Sequence, residues 1–316
     1  MNFLDEAELE KRLEWPALID AIGETVRAGT VVSPERQVYP IELPSGETAS
    51  LLLMPAWIAG ESIGVKAVTF FPGNAAKGKA TINASYLLFD GEDGTLKSVS
   101  EGDTLTARRT AAASALAARY LVRDDAQRLL VVGTGQLSAA VVEAHAAVRD
   151  YSEIMIWGRN PAKASSIACG LEAKGLPVKV AEDLEAACRS ASTISCVTSV
   201  TTPIIKGEWL GEGTHIDLIG SFRPDMRETD DEVVRRASIF VDTAKGATLA
   251  GDLSQPLEAG IIQPDDIKAD LAALTRGEHQ GRVSPSEITL FKSAGFALED
   301  LAAARLADEW SGIDQA

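Results

Sequence analysis

The sequence predicts an α/β protein in which a parallel, helix-covered sheet is inserted into a second α/β domain. Three observations predict it. The first hundred residues have hairpin grammar, with apolar strands flanking glycine turns. From about residue 103, strands and helices alternate, and the strands are continuous apolar runs. The chain ends in an alanine-rich helix, "FKSAGFALEDLAAARLADEW", which resembles the one near Ala107 and is expected to return to the first domain. The expected division is 1–116 plus 291–316 for one domain and 117–290 for the insert.

The elements follow in order. "MNFLDEAELEKRLEW" is a charged, amphipathic opening helix with no signal-peptide core. "QVYPIEL" and "TASLLLM" flank the turn "PSGE", "SIGVKAVTFF" is a strand, and "SYLLFD" and "TLKSV" flank "GEDG". "DTLTARRTAAASALAARYLV" reads as a helix capped by Asp103 or Thr104, with alanine favouring its interior. Leu129–Gly133 and Glu153–Trp157 are strands, each followed by a helix, the second opened by "NPAKA". "KVAED" and "LEAACRSA" repeat the theme, and "TISCVT", "HIDLIG" and "SIFVDT" complete the strands.

Composition narrows the function. At 316 residues, 46% apolar and 24% charged, the chain is an ordinary globular protein of two-domain size. Its net charge of −16 disfavours nucleic acid and anionic membranes as partners. No apolar run reaches the roughly 18 residues that span a bilayer. Cys169, Cys188 and Cys196 lack CxxC spacing, and His145, His215 and His279 lack metal-motif spacing. A cytoplasmic, metal-free protein is expected.

The segment "LLVVGTGQLSAAVV" places Gly133, Gly135 and Ser138 in a G-x-G-x-x-S turn between strand and helix, with Gln136 and Leu137 completing it. The first glycine permits the turn, the second admits a pyrophosphate to the backbone, and the third position needs a small residue where helix meets strand. The helix N-terminus then offers amides to the phosphates. This is the fingerprint of a Rossmann dinucleotide-binding domain. At the end of the second strand, where a carboxylate would hold a ribose 2′-hydroxyl, stands Arg159, with Asn160 and Lys163 nearby. A guanidinium there suits a 2′-phosphate, so NADPH is the expected coenzyme, with NADH less preferred.

Two cations sit where a core should be. Leu105, Arg109, Ala112 and Leu116 share one helix face, so Arg109 interrupts an apolar stripe while Arg108 turns elsewhere. In "SIGVKAVTFF" both strand faces are apolar, which encloses Lys66. Each inward cation needs an anion, either an internal carboxylate or a ligand's. Arg36 in "SPERQVYP" is a third cation, without a periodicity argument. Such cations suit a small carboxylate-bearing substrate.

The segments "ERQVYP", "GVKAVTFFPGN", "TARRTAAASALAA", "VVGTGQLS", "CVTSVTTPII", "GSFRPDMRE" and "FKSAGFALEDLAAA" together resemble the ornithine cyclodeaminase/mu-crystallin family. The resemblance implies a homodimer, its Rossmann domain inserted into an α/β domain that carries substrate binding and dimerisation. It places Arg36, Lys66 and Arg109 around the substrate carboxylate. Cyclodeaminases and alanine dehydrogenases of the family carry an aspartate in a G-G/A-D-x-P-G-K segment; here Phe222 holds that position, and Asp225 is three residues on. The variant resembles the reductases of cyclic imino acids. The resemblance thus implies reduction of Δ1-pyrroline-2-carboxylate and Δ1-piperideine-2-carboxylate to L-proline and L-pipecolate. Lys66 and Arg109 are the expected catalytic residues, Lys66 either binding the carboxylate or protonating the imine nitrogen. Phe222 is expected to wall the ring, and Thr198 and Ser199 to line the nicotinamide pocket. The rivals are an alanine or N-methyl amino acid dehydrogenase, an ornithine cyclodeaminase, and a non-enzymatic NADPH-dependent binder.

Overall fold

The computed structural model describes residues 1–310. The chain divides into two compact units, Met1–Arg109 together with the chain from Phe296, and Thr110–Gly295. The first unit runs through β1 (Asn2–Leu4), α1 (Glu6–Arg12), α2 (Trp15–Ala28), β2 (Gln37–Glu42), β3 (Thr48–Ile58), β4 (Ser62–Phe70), β5 (Ile82–Asp90) and β6 (Leu96–Glu101) into α3 (Gly102–Leu121). From Thr110 onward α3 belongs to the second unit. That unit continues with β7 (Arg128–Val132), α4 (Leu137–Ala146), β8 (Glu153–Trp157), α5 (Pro161–Glu172), β9 (Val178–Val180), α6 (Leu184–Ser190), β10 (Thr193–Cys196) and β11 (His215–Leu218). It is completed by α7 (Asp231–Arg236), β12 (Ala237–Val241), α8 (Ala244–Ala247), α9 (Gly251–Glu258), β13 (Ile267–Asp270), α10 (Leu271–Arg276) and β14 (Ile288–Lys292). With α11 (Ala297–Glu309) the chain returns to the first unit. The α/β class expected from the sequence is observed.

In the first unit the strands lie in the order β1-β6-β5-β4-β3-β2, with β1 parallel to β6 and the other pairs antiparallel. Met54, Lys66, Tyr86 and Ser100 stand side by side across β3 to β6 and therefore share one face. α11 packs on the sheet and against α2. The neighbours on the other face include Leu51, Leu53, Pro55, Trp57, Val65 and Leu87; all are apolar and half-exposed. β4 is therefore apolar on both faces for two different reasons: one face is covered by helix, while the other stays partly open.

In the second unit all strands are parallel, in the order β13-β12-β14-β11-β10-β7-β8-β9. The chain leaves β7 in one direction through β8 and β9, then returns to its other side with β10. The strand order reverses at β7/β10, and α/β sheets bind ligands in the crevice at such a point. Leu129 to Val132 are fully buried, as continuous apolar strands covered on both faces should be. A polar knot fixes the covering helices. The Asp217 carboxylate on β11 accepts from Ser195 at 2.9 Å and from Ser114 of α3, whose hydroxyl also meets His145 Nε2 of α4 at 2.9 Å.

Two local expectations are corrected. α3 is capped not by Asp103 or Thr104 but by Glu101, whose carboxylate accepts from the Asp103 and Thr104 amides, each at 2.7 Å. β6 runs straight into the helix, so the residue at the end of the strand reaches the orphan donors first. The C-terminal helix begins at Ala297 rather than Phe291. Phe291 and Lys292 belong to β14, which pairs with both β11 and β12, and Gly295 at φ 72° breaks the path between strand and helix. Among the described residues no helix is long and apolar enough to cross a membrane, and no cluster of three or more His, Cys, Asp or Glu could hold a metal ion.

The cap has a measurable consequence. Burial pushes Glu101 up, but the amide bonds from Thr104 and Asp103 outweigh it and hold its pKa below the ordinary 4.5. Its contribution is therefore present above that pH and lost as the pH falls. Glu101→Ala is expected to cost about 1 kcal/mol in urea unfolding at pH 7, with Asp103→Ala costing less. The reverse ranking would return the cap to Asp103.

Candidate active site

The glycine turn is built around one close crossing. Gly133 follows β7 with φ 132°, and a Cβ there would lie 2.7 Å from Val197 Cγ2 and 2.9 Å from the Val197 carbonyl oxygen. Only glycine lets the β7 and β10 loops pass this closely. Its amide donates to the Trp157 carbonyl at 2.8 Å, and the buried Ser138 hydroxyl donates to its carbonyl at 2.9 Å. The third position is thus small and also pins the turn. Gly135 differs: a Cβ there meets nothing within 4 Å. Gly135 and Gln136 are exposed, Leu137 opens α4, and no side chain caps that helix. An open glycine ahead of an uncapped helix N-terminus fits a dinucleotide pyrophosphate.

At the far end of β8, Gly158 leaves room for Thr134, whose Cγ2 would lie 2.5 Å from a Cβ. Arg159 is exposed and has no hydrogen-bond or ionic partner among the described residues. Asn160 caps α5, its side-chain oxygen accepting from the Ala162 and Lys163 amides at 3.1 and 3.3 Å. Only its amide nitrogen remains to serve a ligand. The Lys163 side chain is exposed one turn into the helix.

The loops after β10 and β11 are joined by a residue that sequence reasoning missed. The Thr198 amide and hydroxyl both donate to Glu228 Oε1 at 2.7 Å. This commits the Thr198 hydroxyl proton to the protein, while Ser199 is exposed. Phe222 is 41% exposed. Asp225 is ion-paired to Arg223 at 2.7 Å on the surface and replaces no buried carboxylate.

In the first unit, Lys66 and Arg109 are brought together by α11. Lys66 Nζ lies 2.9 and 2.7 Å from the two Asp300 oxygens. Arg109 Nε donates to Asp300 at 2.9 Å and Nη1 to Glu299 at 2.5 Å. All four side chains are buried. Burial pulls the Lys66 pKa down, opposed by Asp300 and reinforced by Arg109. Burial acts likewise on Arg109, but Asp300 and Glu299 outweigh it and raise its pKa. The anion that both cations require is therefore partly internal. Arg109 engages these acids through Nε and Nη1, and its Nη2 makes no further hydrogen bond to the described residues. The Tyr86 hydroxyl, in the same cross-strand row as Lys66, is buried and also unpartnered. Burial, then Asp300, raises its pKa well above the ordinary value. A Cβ on Gly64 would lie 1.9 Å from this hydroxyl, so that glycine makes its room.

Arg36 is not brought to this cluster. It is exposed just before β2, next in line with the Met54–Lys66 row but beyond the paired residues. Arg108 does turn elsewhere: its guanidinium donates to the Leu13 carbonyl at 3.0 Å and lies over the Trp15 ring at 4.1 Å. Glu299 and Asp300 had a sequence signal, two adjacent acids inside the apolar run "FALEDLAAA".

Residues 3–312 match the ornithine cyclodeaminase/mu-crystallin family. A Δ1-pyrroline-2-carboxylate reductase of Paracoccus denitrificans is 37% identical, over 95% of this chain and 94% of its own. Among solved structures, the Δ1-pyrroline-2-carboxylate reductase of Thermococcus litoralis in complex with NADH and L-proline superposes with a TM-score of 0.90. It is 33% identical and covers 98% of this chain and 97% of its own. An archaeal alanine dehydrogenase dimer with bound NAD follows at a TM-score of 0.88 and 30% identity, over 98% and 95% of the two chains.

The two turn glycines separate folding from binding. Gly133→Ala is expected to lower the melting temperature, because of the positive φ and the Val197 contact. Gly135→Val should leave the melting temperature nearly unchanged and weaken binding of a nicotinamide dinucleotide at least about ten-fold, about 1.4 kcal/mol. Equal loss of stability in both would remove the cradle reading of Gly135.

Proposed function

The chain belongs to the ornithine cyclodeaminase/mu-crystallin family, and we propose that it reduces Δ1-pyrroline-2-carboxylate, and Δ1-piperideine-2-carboxylate with it, to L-proline and L-pipecolate using NADPH. The observation that carries this reading is the buried Lys66–Arg109 pair, held from behind by Asp300 and Glu299 with Arg109 Nη2 left over. It accompanies an open glycine cradle and Phe222 in place of a catalytic carboxylate. The similarity to the Paracoccus denitrificans and Thermococcus litoralis reductases supports the same substrate class.

In this mechanism Arg109 Nη2 and the Lys66 ammonium bind the substrate carboxylate, and Asp300 and Glu299 keep both cations in place. Arg36, exposed before β2 and outside this cluster, is left as a third candidate cation that would have to move to reach the carboxylate. A cyclic ketimine protonates readily to an iminium, which accepts a hydride at C2 without a strong base. The protein's task is orientation. Phe222 walls the ring, the substrate binds already protonated at nitrogen, and Lys66 stays charged against its carboxylate beside Arg109 and Asp300. Bound NADPH supplies the hydride. Gly133, Gly135, Gln136, Leu137 and Ser138 would hold its pyrophosphate, and Arg159, Asn160 and Lys163 its 2′-phosphate. Thr198 and Ser199 would flank its nicotinamide.

A second reading is favoured by the likeness to the alanine dehydrogenase, which would reduce pyruvate in the presence of ammonia. Phe222 argues against it, because amine deprotonation has no evident base there.

We also propose a homodimer formed through the open face of the first unit's sheet. Leu51, Leu53, Pro55, Trp57, Val65 and Leu87 form an apolar patch of the kind that marks an association site.

Following NADPH oxidation at 340 nm, turnover is expected with Δ1-pyrroline-2-carboxylate and little with pyruvate plus ammonia. The opposite pattern would select the dehydrogenase. Arg159→Ala should lower kcat/KM for NADPH by roughly ten- to a hundred-fold, about 1.5–3 kcal/mol for a charge-assisted bond, and leave NADH use unchanged. Light scattering should give twice the 33.4 kDa chain mass, and Leu53→Glu should give monomer. A wild-type monomer would refute the interface.

A further inference from the structure

The second unit contains a carboxylate that no step above uses. Glu228 is fully buried, yet its two oxygens accept four hydrogen bonds. Oε1 takes the Thr198 amide and hydroxyl, both at 2.7 Å. Oε2 takes the Gly220 amide at 3.0 Å and the Ser221 amide at 3.3 Å. One side chain thereby fastens the loop after β10 to the loop after β11. The crossing is tight: a Cβ on Gly220 would lie 2.1 Å from the Thr198 carbonyl oxygen and 2.7 Å from Glu228 Oε1. The first loop starts at Val197, where Gly133 crosses beside the reversal of strand order, and the second carries Phe222.

Charged groups from the neighbouring elements face this carboxylate. Asp252 of α9 accepts the Glu228 amide at 2.7 Å. Lys292 of β14 reaches Asp252 at 3.2 Å and the carbonyls of Leu218 and Ser221 at 3.0 and 2.5 Å. The Cys196 thiol ends β10, its pKa pushed up by burial and then by Glu228. Burial, then Asp252, pushes Glu228 up to about 7, against the pull of Lys292 and the Thr198 bonds.

We propose that Glu228 is a positioning residue for the nicotinamide end of the coenzyme: its ionised carboxylate latches the two loops that receive that ring, so tight coenzyme binding requires Glu228 to be deprotonated. A protonated carboxyl cannot accept from all four donors, because one oxygen then carries its own hydrogen. On this proposal the latch closes as the pH rises through about 7 and opens as it falls through it. The inference rests on the coenzyme reading above, and the experiment separates the two.

Binding of NADPH and of 2′-phospho-ADP-ribose, which has the cradle-binding part but no nicotinamide, is measured by calorimetry from pH 6 to 8.5. NADH and ADP-ribose form a second pair. The full-length wild type, Glu228→Gln and Thr198→Val are compared. In the wild type, NADPH should weaken on the order of ten-fold relative to the fragment between pH 8 and 6, following the latched fraction. Glu228→Gln should bind NADPH about ten-fold more weakly at pH 8, with this relative pH dependence gone and the fragment unaffected. Thr198→Val should lose less and keep the pH dependence. A wild-type NADPH-to-fragment ratio that is flat with pH, or equal losses for both ligands in Glu228→Gln, overturns the proposal while leaving the coenzyme reading standing. If the wild type binds neither NADPH nor NADH, the coenzyme reading fails and the latch with it. Should Glu228→Gln not fold, the wild-type ratio decides alone.

Discussion

Asp300 is the residue on which the first unit depends. Its carboxylate holds both Lys66 and Arg109, which lie 234 and 191 residues away in the chain. Two cations buried on β4 and α3 would be untenable without it, since breaking a buried pair on one side costs about 3–5 kcal/mol. The sheet and α3 are complete by residue 121, but the charges they bury are neutralised only when the chain comes back as α11. Charge compensation therefore gives a physical reason for the interrupted topology. Apolar packing of alanines alone would accept many registers; two acids at adjacent positions facing one guanidinium accept one.

The second unit solves a different problem, bringing loops close enough to shape a binding crevice. It does so with missing side chains. Gly133 lets the β7 loop cross Val197, Gly220 lets the β11 loop cross Thr198, and Gly158 admits Thr134. Each is a position where a single methyl group would collide with its neighbour. Gly135 alone among these turn glycines faces open space, which is why its absent Cβ reads as room for a ligand and theirs as room for the protein. Glu228 completes the arrangement by gathering the backbone donors that such close loops leave unpaired.

Much of this was legible in the sequence, and the failures have identifiable causes. Lys66 and Arg109 were found because a charge on an apolar period is conspicuous. Their partners were visible too, as "ED" within an apolar run, but pairing them requires knowing that α11 lies over β4, a contact across most of the chain. The Glu101 cap was missed because strand and helix share a boundary without a loop, so the usual N-cap position shifted to the end of the strand. Glu228 was hidden for the opposite reason: in "RPDMRE" acids and bases crowd together as on a solvated turn, and nothing local says that the last of them is fully buried. Lys66 is enclosed as its strand pattern implies, while the outer face of β4 is apolar yet half-exposed; periodicity reports a face's chemistry and not what covers it.

The balance of charge in the Lys66–Arg109 cluster also bears on which substrate it suits. Two cations and two carboxylates sum to no net charge. A lone anion brought to such a buried group leaves an uncompensated negative charge in a low-dielectric setting, which is expensive. A cyclic imino acid protonated at nitrogen has no net charge: its carboxylate can meet Arg109 Nη2 and Lys66 while its iminium balances the site. A keto acid has no such internal cation and needs a separate ammonium or an extra proton. The protein's overall charge of −16 acts in the same direction, since it adds no long-range attraction for free anions, although salt screens it beyond about 8–10 Å. On the proposed reading, selection falls to the short-range cluster, whose charge balance favours a zwitterion over a bare anion.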